Sequence, residues 1–234
     1  MPVNGLSARE ITNICKEISR YYPETRLSNK KNPLLEAVFI LLSSQTDEYK
    51  YLQTWKRFRN KFPKIQDAES ANKEKIFKSI RGGGLGSWKA EMIHNLLKKV
   101  KNKYGRLSLS HLKCLDDKSL EKELLTLDGI GIKSARCIMM YSFDRAVFPI
   151  DTHTLRIIKR LGFRIPDYSK RSKMFADNIQ NQVPDKYRTR FHINLVQHGR
   201  KICKTKPNCE ICPIDRYCKK TIWMKKGLYL PLAK

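Results

Sequence analysis

Apolar residues recur along the chain every three to four positions, and no convincing run alternates strictly. The pattern therefore predicts helices joined by short connections rather than a sheet. Residues 8–21 carry Ile11, Ile14, Cys15 and Ile18 on one face of a first helix. Asn32-Pro33, a capping side chain followed by proline at the first helical position, opens a second helix through residue 42. Polar Ser43-Ser44-Gln45-Thr46 interrupts the pattern, and Asp47 can cap a third helix to about residue 60. The next helix is expected over 67–80, ending in the flexible Gly82-Gly83-Gly84-Leu85-Gly86. Ser87 is the expected cap of a helix over 88–104, which Gly105 stops, and 117–126 and 132–143 follow as a pair. Asp151 caps a helix to residue 161, and 169–182 and 185–198 complete the set. The expected fold class is all-α, with about ten helices and short loops.

Composition narrows the partners. The 234 residues suffice for a real core, as one domain or two modest lobes. Hydrophobic residues make up 41% and charged residues 30%, which excludes a disordered chain. The 48 Lys+Arg against 22 Asp+Glu leave +26, spread along the whole chain. Such self-repulsion is offset by a polyanion, and nucleic acid fits better than a membrane surface. Neither a dominant basic amphipathic helix nor a lipidation motif is visible. The start lacks the pattern of a signal peptide, and the longest apolar run, 37–42, is far too short to span a bilayer. An intracellular location with reduced cysteines is expected. Cys15, Cys114 and Cys137, isolated in apolar surroundings, are expected to be buried packing residues.

The other four cysteines cluster as Cys203-x5-Cys209-x2-Cys212-x5-Cys218. Four thiolates so spaced can converge on one soft metal centre. Structural zinc also accepts four cysteines, but its usual pattern is two separate short-spaced knuckles. The spacing favours a [4Fe–4S] cluster and leaves zinc open. Lys204, Lys206, Arg216, Lys219 and Lys220, in or beside the box, suit either a phosphate backbone or a solvated loop.

Between the paired helices stands LDGIGIKSA, residues 127–135. Gly129 and Gly131 allow backbone amides to approach a ligand closely, at a helix start that attracts phosphate oxygens. The same residues also suit an ordinary helix–turn–helix corner. Lys133 falls in the first turn of the following helix, where a cation is electrostatically disfavoured. That field and partial desolvation favour a neutral amine, able to form a Schiff base with C1′ of a deoxyribose. A simple phosphate contact is the alternative. Asp151 lies in FPIDTH, residues 148–153. The helix over 132–143 advances roughly 16–18 Å, and the seven residues that follow reach back at most about 25 Å. Asp151 can therefore return beside Lys133, as a salt-bridge partner or as an anion stabilising positive charge at the sugar. It can also cap its own helix.

LDGIGIKSA, FPIDTH and CKTKPNCEICPIDRYC, in that order and spacing, resemble the endonuclease III branch of the helix-hairpin-helix DNA glycosylases. The resemblance runs from PLLEAVFILLSSQTDE to Cys218. It implies a six-helix barrel lobe with the hairpin over 30–135, and an iron–sulfur lobe combining 1–29 with 136–234. Double-stranded DNA would be held between the lobes with the damaged nucleotide flipped out. Position by position, Lys133 matches the Schiff-base lysine, Asp151 the catalytic aspartate, and Cys203, Cys209, Cys212 and Cys218 the cluster ligands. DNA contacts are implied for Gly129, Gly131, Ser134 and His153. Gln45 matches a glutamine that fills the gap left by the flipped nucleotide, and Leu85, in GGGLGSWKAE, a leucine wedge. The chain departs from the branch in a first cysteine gap of five residues where six is usual, and in Asp128 where the hairpin usually has proline. FPIDTHTLRIIKRLGF is also similar to plant 5-methylcytosine DNA glycosylases.

The expected function is base-excision repair by a monomeric bifunctional DNA glycosylase/AP lyase acting on a damaged base, by resemblance an oxidised pyrimidine. The competing readings are a glycosylase for mismatched thymine, uracil or 5-methylcytosine, and a non-catalytic, cluster-bearing DNA-structure binder. An adenine-removing enzyme fits poorly, since such relatives lack this lysine and extend further, whereas this chain ends 16 residues past Cys218.

Overall fold

A computed structural model describes residues 5–24, 27–82, 84–170 and 172–219. Among the described residues there are eleven α-helices, two short 3-10 turns and no strand. The all-α expectation holds. The chain divides into two compact units, Ser28–Arg145 and the combination of Met1–Leu27 with Ala146–Lys234. No helix among the described residues is long and apolar enough to cross a membrane.

The central unit contains α2 (Pro33–Ser43), α3 (Glu48–Lys61), α4 (Ile65–Ser70), α5 (Lys73–Ile80), α6 (Gly86–Tyr104), α7 (Asp117–Leu125) and α8 (Ile132–Ser142). Helix α2 is apolar nearly all round, and α3, α6 and α8 pack against it, as expected of a helix at the centre of its unit. Phe39 sets its ring edge-on against Tyr51 and Trp55 of α3. Helices α7 and α8 are tied by a buried ion pair, Arg136 Nε to Glu121 Oε1 at 2.8 Å.

The second unit contains α1 (Ala8–Tyr21), α9 (Thr152–Leu161), α10 (Lys173–Gln180) and α11 (Asp185–Lys201). Ser7 and Glu10 form a reciprocal capping box at the start of α1, which buries Ile11, Ile14, Cys15 and Ile18. Helix α11 receives α1 and α9, and Phe148 stacks on Phe191 at 5.7 Å in the shared core.

Several expectations are corrected. The helix expected over 67–80 is two helices, because Asn72 turns its side chain back to cap Lys75 N and starts a new one. Ser87 does not cap α6; the helix begins two residues earlier than expected, at Gly86, with Leu85 in the cap position. Cys114 is exposed, its thiol donating to the His111 carbonyl in a 3-10 turn, whereas Cys15 and Cys137 are buried as expected. Helix α10 is shorter than 169–182 because Ser172 caps it, and α11 runs past 198 to Lys201.

Candidate functional site

The hairpin between α7 and α8 is built by successive tight turns: Leu127 N donates to Leu124 O, and Ile130 N to Leu127 O. The two glycines serve different needs. Gly129 has φ +75°, and a Cβ there would lie 2.7 Å from Leu41 Cδ2 of α2. Both the backbone and the packing require glycine. Gly131 has an ordinary φ of −91°, is exposed, and has open space where a Cβ would stand. It occupies the N-cap position of α8 without any side-chain cap. The positive end of α8 is thereby left open to an external anion. Ile130 and Ile132 are buried and fasten the turn. Lys133 and Ser134 lie half-buried in the first turn of α8. Asp128 is ion-paired with Lys99 of α6 at 3.7 Å.

One residue near the hairpin escaped sequence reasoning. Glu36, inside the apolar stretch of α2, is fully buried. Its carboxylate accepts from Asn29 Nδ2 and, at 2.6 Å, from the Lys30 backbone N–H. Burial pushes its pKa up to about 7, and these two hydrogen bonds with the charges of Lys133 and Lys30 oppose the rise. Helix α2 thus places a carboxyl close enough to Lys133 for each to feel the other. The signal was legible: an acid in the middle of PLLEAVFILL is a buried carboxyl wanting a partner.

Gln45 and Leu85 share an unusual backbone. Among the described residues, non-glycine residues with left-handed φ are Gln45 (49°), Leu85 (48°) and Asp144 (55°). Each such residue costs about 1–2 kcal/mol, so two apolar-or-amide side chains held this way mark strained corners. Both side chains face solvent, and Leu85 is 51% exposed.

In the second unit, Asp151 is the N-cap of α9, its Oδ1 accepting from Thr154 N at 2.7 Å. The extended run before it is pinned on both sides. Phe148 N donates to Gln180 Oε1 at 2.7 Å, and His192 Nδ1 donates to the Pro149 carbonyl at 2.9 Å. Gln180 and His192 lie on α10 and α11, so only tertiary packing reveals them. His153 is half-buried; its Nδ1 meets Arg156 Nη2 at 3.1 Å, and it packs on Gly199.

The cysteine box follows α11. Cys203 is buried, and Cys209, Cys212 and Cys218 are half-buried. Burial pushes the Cys212 thiol up to about 12, and Cys203, Cys218 and Cys209 add to the rise, so Cys212 lies within the field of the other three. Arg160 Nη1 donates to Cys203 Sγ at 3.1 Å and to the Lys204 carbonyl at 2.7 Å. His198 Nε2 lies 3.6 Å from Cys212 Sγ while its Nδ1 meets Tyr22 Oη at 3.1 Å. Burial holds His198 neutral, its pKa down to about 4. The nitrogens of Arg160 and His198 beside two of the sulfurs are the kind of neighbours a thiolate ligand accepts hydrogen bonds from. Among the described residues, no three His, Cys, Asp or Glu side chains converge as ligands of a single metal ion. Lys204, Lys206 and Arg216 are exposed, Arg216 pairing with Glu17, and Lys219 covers Gly162. Lys220 lies outside the described residues.

Residues 38–181 match the HhH-GPD superfamily of base excision DNA repair proteins. An Arabidopsis thaliana protein classed as a DNA glycosylase is 33% identical over 188 residues, 80% of this chain and 62% of its own length. The chain thus spans less than two thirds of that relative. Endonuclease III of Rickettsia conorii is 30% identical over 198 residues, 84% of this chain and 88% of that one. The solved structure of a non-covalent endonuclease III–DNA complex superposes with a TM-score of 0.80 at 25% identity, covering 94% of this chain and 99% of the other. With its hairpin, its α-helical fold and these likenesses, the chain belongs to the HhH-GPD superfamily of base excision DNA repair proteins, in the endonuclease III-like group.

Proposed function

We propose that the protein is a bifunctional DNA glycosylase/AP lyase acting as a monomer on double-stranded DNA inside the cell. The carrying observation is Lys133, set in the open N-terminal turn of α8 two residues after an exposed, uncapped Gly131. Backbone amides there receive a phosphate, and the lysine is delivered to the adjoining sugar. The Lys133 amine attacks C1′ as the bond to the base breaks, and the departing base takes the electron pair. Asp151, held by its α9 cap and the bonds from Gln180 and His192, supplies an anion for the oxocarbenium character at the sugar. Loss of a proton from the nitrogen, opening of the sugar ring and formation of the Schiff base precede β-elimination of the 3′ phosphate. Gly129, Gly131 and Ser134 hold the backbone, Gln45 and Leu85 enter the duplex, and His153 lines the approach to Asp151. The substrate class we favour is an oxidised pyrimidine.

Cys203, Cys209, Cys212 and Cys218 are the residues that would hold a [4Fe–4S] cluster. When bound, such a cluster supplies a rigid centre that keeps the surrounding lysine-bearing loop in one shape. Protein purified without oxygen should be brown and carry iron; a colourless, zinc-containing preparation would overturn this assignment.

Lys133→Gln should abolish borohydride-trappable crosslinking to an abasic duplex while retaining much of the binding. Trapping that persists in this variant would show another nucleophile. A panel of lesion duplexes (thymine glycol, dihydrouracil, uracil, mismatched thymine, 5-methylcytosine) scored for strand cleavage identifies the base, and preferential cleavage of one of the last three would refute an oxidised-pyrimidine substrate.

A further inference from the structure

Lys89 stands at the junction of the two strained corners. It lies one turn into α6, and its backbone N–H donates to the Leu85 carbonyl at 2.9 Å. Its side chain is 1% exposed and runs inward, where Nζ donates to the Leu42 carbonyl at 2.8 Å and to Thr46 Oγ1 at 2.6 Å. Leu42 lies in the last turn of α2 and Thr46 directly follows Gln45, so one residue sits on the first turn of the helix that Leu85 opens and holds the corner of Gln45 through its ammonium. The corners also adjoin: a Cβ at Gly84 would lie 3.7 Å from Thr46 Oγ1. Thr46 Oγ1 donates onward to the Ser44 carbonyl at 3.0 Å, closing the loop on itself.

We propose that Lys89 is a positioning residue that locks the Gln45 and Leu85 corners into a single two-pronged probe, which enters the DNA duplex as a unit. Left-handed corners relax readily unless the surroundings over-determine them, and a bond from a buried ammonium is strong and geometrically narrow. Burial lowers the Lys89 pKa to about 8, the cost of keeping a charged donor where an apolar side chain would otherwise fit. What that donor adds is a fixed spacing between an apolar wedge and an amide plug, so that neither has to be ordered when the helix is opened.

The proposal rests on the DNA glycosylase reading, and the experiment separates the two. Thr46→Val keeps side-chain shape and removes the receiver of the cross-corner bond; Lys89→Met removes the donor. Melting curves report whether each variant is folded. 2-Aminopurine placed opposite an abasic site reports unstacking on binding, with no chemistry required. Borohydride trapping is then compared on an abasic duplex and on the same strand alone, which needs no opening. Thr46→Val should lower the 2-aminopurine signal and slow duplex trapping by about tenfold, leaving single-strand trapping unchanged. Lys89→Met should lose more on the duplex, and Leu85→Ala combined with Thr46→Val should lose little beyond Leu85→Ala alone. Folded variants with wild-type 2-aminopurine signal, or with equal losses on duplex and single strand, would overturn the clamp. If the wild-type protein traps neither substrate, the lyase reading fails, and the 2-aminopurine comparison still decides for or against the clamp.

Discussion

At the residue scale, Glu36 illustrates how a buried charge couples stability to function. Its carboxyl is raised from an ordinary 4.5 to about 7 by burial. The folded state therefore binds more protons than the unfolded chain between these values, and the stabilisation present below pH 4.5 is lost as pH rises through 7. The loss should be on the order of 3 kcal/mol. Urea unfolding of the wild type and Glu36→Gln across this window checks it: the wild type should fall relative to the variant, and a constant difference would contradict the buried-acid assignment. Lys133, Asp151 and the four cysteines could be proposed from the sequence because each sits in a short local motif. Glu36 and Lys89 were not read from the sequence, because their partners, Asn29 and Lys133 for one and Thr46 for the other, come from different elements.

At the scale of elements, the two glycines of the α7–α8 hairpin make folding and the proposed phosphate contact separately testable. Gly129→Ala forces a Cβ into Leu41 and a left-handed backbone, and should cost about 2 kcal/mol or more. Gly131→Ala meets open space, and as an N-cap change should cost at most about 1 kcal/mol while crowding the phosphate approach and weakening DNA affinity. Melting temperatures and binding isotherms of the two variants check this, and equal effects on both quantities would defeat the distinction. The pattern of apolar positions was enough to outline most helices, because a 3.6-residue period needs no partner to be seen. It missed the break at Asn72 and the start of α6 at Gly86, capped by Leu85. A capping side chain competes with helix continuation only locally, and a leucine in left-handed geometry has no sequence signature.

At the scale of the whole molecule, a net charge of +26 makes electrostatics dominant for a polyanion partner. Nonspecific duplex binding should fall by about three orders of magnitude or more between about 50 and about 200 mM salt. A filter-binding or anisotropy titration checks it, and a shallow slope would mean that most of these lysines never meet phosphate. The charge, the all-α class, the glycine hairpin and the cysteine spacing were determined by the sequence alone, since each depends on composition or on residues close together in the chain. Only the tertiary structure decided which distant side chains serve them: Gln180 and His192 on the run before Asp151, Arg160 and His198 on the cysteines, Lys89 beneath Gln45 and Leu85. Those partners are chosen by packing between elements. Many arrangements of the same helices satisfy the apolar pattern, and only the folded one satisfies the buried polar groups as well.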